Sequence, residues 1–149
     1  MSFTHIIDAL PYKRPFLFVD NITHINEDGV IGDYKIREDE YFFEGHFPGN
    51  PVVPGVILTE IMAQIGLVSL ALYLFDNKNE TDKVLPAFSS AKIDFLSLVV
   101  PGDHLTVESK KIYFRFGKLK CSINCRKQDG TLVASGECSG MIIKQADLE

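Results

Sequence analysis

Apolar and polar positions follow two different rhythms along this chain. Residues 56–75 (VILTEIMAQIGLVSLALYLF) are apolar almost without a break, and Glu60 is the one charged residue among them. After residue 88 the pattern changes to alternation, as in Thr106-Val107-Glu108 and Ser122-Ile123-Asn124. Period-two alternation marks strands with one packed face and one wet face. Turn signals at Pro101-Gly102-Asp103, Gly117 and Asp129-Gly130 divide this half into strands Phe88–Phe95, His104–Phe116, Lys118–Lys127 and Thr131–Ile143. Ahead of the apolar run, β-rich Phe16–Ile25 and Val30–Ile36 flank the turn Glu27-Asp28-Gly29 and read as a hairpin. A short helix, Phe3–Leu10, is expected at the start, capped by Ser2 or Thr4 and stopped by Pro11.

The apolar run is about 30 Å long as a helix, which is also the thickness of a bilayer core. Glu60 and Gln64 lie within it, and a carboxylate inside a bilayer is costly. The strands around it form an antiparallel sheet with a face to cover. A helix apolar on all sides suits burial inside a curled sheet. The pattern therefore predicts an α+β domain spanning residues 1–149: a short helix, two strands, a long buried helix and four strands.

Composition narrows the function. At 149 residues the chain is long enough for one real core. A net charge of −5 argues against nucleic acid as a partner. Cys121, Cys125 and Cys138 are odd in number and contain no CxxC pair, so no disulfide framework or zinc site is expected. They read as buried thiols in a reducing compartment, and the N-terminus lacks the pattern of a signal peptide. A cytoplasmic location is the expectation.

Candidate chemistry concentrates in Gly45–Gly55, GHFPGNPVVPG, with three prolines and three glycines in eleven residues. Neither helix nor strand runs through Pro48, Pro51 and Pro54. The result is a stiff loop that carries His46 and feeds a helix start at Gly55-Val56. One reading is a fixed imidazole; the other is a tight crossover with an incidental histidine. Unbonded N–H groups in a first helical turn can polarise a carbonyl or hold an oxyanion. Five residues on, Glu60 sits in apolar surroundings, where burial raises a carboxyl pKa and favours a protonated general acid. The other reading of Glu60 is a satisfied buried glutamate, paired with Gln64 one turn on. Base, carbonyl clamp and acid together are what α-proton removal and β-hydroxyl expulsion require. Phe42, Phe43 and Phe88 are expected in the core or lining a substrate tunnel. No cofactor or metal is called for.

On these residues the chain resembles the single-hot-dog 3-hydroxyacyl-acyl-carrier-protein dehydratases. The likeness rests on Leu10-Pro11, Pro15-Phe16-Leu17, Val19-Asp20, the whole GHFPGNPVVPG run, Glu60 with Met62-Ala63-Gln64, and Val99-Val100-Pro101-Gly102-Asp103. The resemblance implies a hot-dog fold, a curved antiparallel sheet wrapped round one long helix. It implies His46 as base, Glu60 as acid, the Gly55 N–H as carbonyl polariser with Val56 beside it, and Gln64 and Pro54 as supports. Glu60 places the chain with the branch that dehydrates without isomerising. The family shares each active site across a homodimer, sometimes within a trimer of dimers. Its substrates ride on the 4'-phosphopantetheine arm of an acyl carrier protein.

Two departures stand out. Tyr12 replaces a usual histidine, at a position regarded as structural. Asp94-Phe95-Leu96-Ser97-Leu98 replaces an arginine-rich stretch, removing positive charge that would steer an acidic carrier. The basic surplus lies later, around Lys110, Lys111, Arg115, Lys118 and Lys120. The competing functions are a hot-dog thioesterase and a non-catalytic hot-dog partner subunit.

Overall fold

The computed structural model describes residues 3–75 and 84–144. Helix α1 (Thr4–Ala9) precedes the hairpin of β1 (Asn21–Asn26) and β2 (Gly29–Lys35). A 3-10 turn (Tyr41–Glu44) and the proline-rich loop lead to α2 (Gly55–Ala63). A π turn (Gln64–Val68) joins α2 without interruption to α3 (Ser69–Leu74). Strands β3 (Val84–Phe95), β4 (His104–Arg115), β5 (Lys118–Arg126) and β6 (Leu132–Lys144) follow. The six strands form one sheet in the order β1-β2-β4-β5-β6-β3, with every neighbouring pair antiparallel.

Alternation along the strands decides which face meets the helix. On β5, Leu119, Cys121, Ile123 and Cys125 are buried, while Ser122 and Arg126 face outward. Ile61, Met62, Ile65 and Leu70 of the central helix are fully buried against that inner face. The helix is apolar all round because the sheet curls round it. Gly55–Leu74 is long and apolar enough to cross a membrane, yet most of it is buried inside the fold. This is the hot-dog architecture.

Several expected boundaries move, each for a physical reason. Residues 16–20 do not join the first strand, which starts at Asn21. The Phe18 N–H and the Phe16 carbonyl bond instead to the side chain of Gln64 on the central helix. The N-cap residue of α1 is Phe3, which makes no side-chain cap, and Ser2 lies outside the described residues. β3 begins four residues before Phe88 and contains Pro86. It is an edge strand, where a missing N–H is tolerated. Cys121 and Cys138 face each other across β5 and β6. Burial raises the thiols of Cys121 and Cys138 to about 11 and that of Cys125 to about 12, which leaves all three as protonated packing groups.

Candidate active site

The proline-rich loop is held by its own backbone. Phe47 and Asn50 exchange hydrogen bonds of 3.0 and 2.8 Å round a tight turn, and Gly49 inside it has φ +76°. Glycine enters that left-handed region without steric cost. The Val53 N–H donates to the Val99 carbonyl at 2.8 Å and ties the loop to the segment ahead of β4. His46 is half-buried and stacks on Phe47, with ring centroids 4.0 Å apart. Its Nδ1 lies 2.8 Å from the Val52 carbonyl oxygen. A carbonyl only accepts, so Nδ1 carries the proton, and Nε2 of the neutral ring keeps a free lone pair.

Pro54 is the N-cap residue of α2. The first intrahelical bonds come from Ile57 and Leu58, both to the Pro54 carbonyl. The Gly55 and Val56 N–H groups thus precede the helical ladder and point out of its positive end. The Phe95 ring packs on Gly55; a β-carbon there would lie 3.4 Å from it.

Glu60 emerges one turn later into a cavity of about 190 Å³. Ala63, Leu67, Val68 and Ala71 line one side, and Phe88, Leu119, Met141 and Ile142 the other. Tyr12 and Phe16 line it as well, and the surroundings are otherwise apolar. Burial raises the Glu60 carboxyl above the usual range, partly opposed by its hydrogen bond from Gln64. Gln64 is fully buried. Its Oε1 accepts from the Phe18 N–H at 2.8 Å, and its Nε2 donates to the Phe16 carbonyl at 2.9 Å and to Glu60 Oε2 at 2.8 Å. The two backbone groups fix which end of the amide is which, so Gln64 donates to Glu60. Burial, and then the nearby Glu60, push the Tyr12 hydroxyl well above its ordinary value.

The FabA-like domain profile matches residues 10–137. The chain belongs to the FabA-like family. It is 37% identical over 142 residues to a 3-hydroxyacyl-acyl-carrier-protein dehydratase FabZ of Clostridium perfringens strain SM101, covering 92% of this chain and 95% of the relative. The FabZ of Caldicellulosiruptor saccharolyticus is 38% identical over 138 residues, covering 90% and 93%. Among solved structures, the dehydratase heterocomplex ApeI:P of Xenorhabdus doucetiae superimposes with a TM-score of 0.80 at 15% identity, covering 95% of this chain and 93% of that one. A thioesterase from Haemophilus influenzae reaches 0.59, also at 15% identity, covering 83% and 78%. At such identities these structures report the fold.

Within this FabA-like chain, the structure brings Glu60, Gln64 and Phe88 to one place and sets Pro54, Gly55 and Val56 at the helix start. His46 does not line the Glu60 cavity. Phe42 and Phe43, expected as core or tunnel, do not line it either. Phe43 is buried in the core, and Phe42 packs edge-on against Phe18 and Phe43, because the 3-10 turn aims both rings inward. Tyr12, at a position expected to be structural, stands beside Glu60. Its loop position carries no periodic signal that would have placed it there. Leu119, Met141 and Ile142 were legible only as strand residues until the sheet curled.

Proposed function

We propose that this chain dehydrates 3-hydroxyacyl thioesters carried on an acyl carrier protein to trans-2-enoyl thioesters, in fatty-acid or related lipid synthesis. One observation carries the reading: a carboxyl raised by burial, oriented by Gln64, opens into an apolar cavity shaped for an acyl chain. Nε2 of His46 takes the α-proton, and the electron pair left on the α-carbon forms the new double bond. The Gly55 and Val56 N–H groups bear the charge that develops on the thioester oxygen. Glu60 protonates the departing β-oxygen, and water leaves. The step is redox-neutral and needs no cofactor.

His46 and Glu60 act from different protomers. This is supported by the absence of His46 from the Glu60 cavity and by the position of β3 at the sheet edge. Exposed Val56, Phe95, Leu96 and Leu98 supply an apolar surface beside that edge. The working unit is a homodimer, and a trimer of dimers keeps the same shared sites. Residues 1–149 act as one hot-dog domain. The carrier's acidic surface is matched to the outer sheet face around Arg115, Lys118 and Lys120, though Lys120 is engaged by Glu137 at 3.3 Å. The three buried thiols suit a reducing compartment, and the protein is assigned to the cytoplasm.

The test offers the purified protein a short trans-2-enoyl thioester and follows enoyl absorbance together with free thiol. Loss of absorbance without thiol release is expected. Thiol release would indicate hydrolysis. No turnover, even with carrier-linked substrate, would point to a non-catalytic subunit and overturn the reading.

A further inference from the structure

The central helix widens immediately after the residues that hold the acid. The π turn Gln64–Val68 separates α2 from α3, and every residue in it is buried. A π turn carries one more residue than an α turn and persists where its surroundings hold it. Two buried hydroxyls do so here. The Ser69 Oγ donates to the Gln64 carbonyl at 2.8 Å, the same oxygen that the Ser69 backbone N–H bonds. Ser109 reaches in from β4 and donates to the Gly66 carbonyl at 2.7 Å. Gly66 makes that approach possible: a β-carbon there would lie 2.9 Å from Ile123 Cδ1 and 3.1 Å from Ser109 Cβ.

We propose that Ser109 and Ser69 are positioning residues: by holding the π turn they fix Gln64, and through Gln64 the carboxyl of Glu60. The proposal rests on reading Glu60 as the acid. Gln64 opens the π turn and also grips Glu60, so the backbone geometry that Ser109 maintains is the base from which the amide reaches the carboxyl. Without the Ser109 hydroxyl, the Gly66 carbonyl loses a buried hydrogen bond, and the turn relaxes toward α geometry. That relaxation moves Gln64 relative to the Phe16 and Phe18 backbone. Among the described residues, Tyr12 is the titratable side chain facing Glu60. Among the described residues, none that lines the sheet side of the cavity ionises.

The experiment compares Ser109→Ala with the wild type in the full chain. A small misplacement of a catalytic group is enough for an expected loss of about tenfold in kcat, with KM little changed. The Gln64 hydrogen bond lowers the Glu60 pKa, so loosening it moves the basic limb of the kcat profile to higher pH. Ser109→Thr, which keeps the hydroxyl, is expected to restore both. The control is Ser139→Ala, another buried strand serine, whose hydroxyl meets Ser90 at 2.7 Å. It is expected to lose stability while keeping kcat and the pH limb. Ser109→Ala with wild-type kcat and an unmoved limb overturns the proposal, and Ser69→Ala decides it if Ser109→Ala does not fold. Infrared titration of the Glu60 carboxyl without substrate, identified by its loss in Glu60→Gln, separates this proposal from the functional reading. An upward shift in Ser109→Ala supports the positioning role even if no dehydration is found, and an unshifted carboxyl refutes it.

Discussion

Gln64→Leu removes the amide that joins the helix, the 16–18 segment and Glu60, while nearly conserving volume. Three hydrogen bonds vanish, to the Phe18 N–H, the Phe16 carbonyl and Glu60. Phe18 is fully buried, so water does not replace its lost partner. An orphaned buried backbone group costs about 1–3 kcal/mol. The Phe16 carbonyl lies in a half-buried site and contributes less. The expected net loss is about 2–4 kcal/mol. In a chain of this size that lowers Tm by roughly 5–12 °C. Chemical denaturation with unchanged m reads the loss directly. Gln64→Glu supplies a second signature. Protonated, it still accepts from Phe18 and donates one hydrogen bond; ionised, it sets a charge against Glu60 and the Phe16 carbonyl. Its stability therefore falls as pH rises, whereas the loss in Gln64→Leu stays nearly constant. A Gln64→Leu protein within 1 kcal/mol of wild type, or a Gln64→Glu protein without pH dependence, would refute the reasoning.

Other consequences follow from the same geometry. His46→Ala and Glu60→Gln are each expected to lower kcat at least about a hundredfold, the scale of general acid–base groups. Co-refolding the two inactive variants restores part of the rate if the site is shared between protomers; no recovery in mixed dimers argues for sites within one chain. Because burial raises the Glu60 pKa, the folded protein binds that proton more tightly than the unfolded chain does. Its contribution to stability is present below the unfolded carboxyl value of about 4.3 and is lost as pH rises through the folded value. Glu60→Gln is thus expected to melt higher than wild type at neutral pH, with the gap closing in acid; thermal melts across pH check the sign. Gly66→Ala gains helix propensity but drives a methyl into Ile123 and Ser109, for a net loss of about 1–2 kcal/mol in urea denaturation.

Much of the site was legible because its parts are local in sequence. Three prolines forbid regular structure, so the rigid loop before α2 followed from composition alone. Glu60 stood out because a single carboxyl in a twenty-residue apolar helix demands an explanation. Gln64 followed as its neighbour one turn on. The rest was hidden for reasons of distance. Phe16 and Phe18 look like strand residues, yet their backbone satisfies a helix side chain 48 and 46 positions away. Pro86 masked the start of β3, since only the edge position of that strand makes the proline harmless. The π turn left no trace in a run that reads as uniform helix.

By itself the sequence determined the element order, the identity of the buried helix, the rigid histidine loop and the family, because periodicity, proline sterics and motif spacing act along the chain. The tertiary structure decided which side chains share a space. It set Tyr12 beside Glu60, placed Leu119 and Met141 on the cavity wall, left His46 outside it, and joined Ser109 to the Gly66 carbonyl. Those relations depend on how far the sheet curls and where the helix widens. Both are outcomes of packing between residues distant in sequence, for which no local pattern exists.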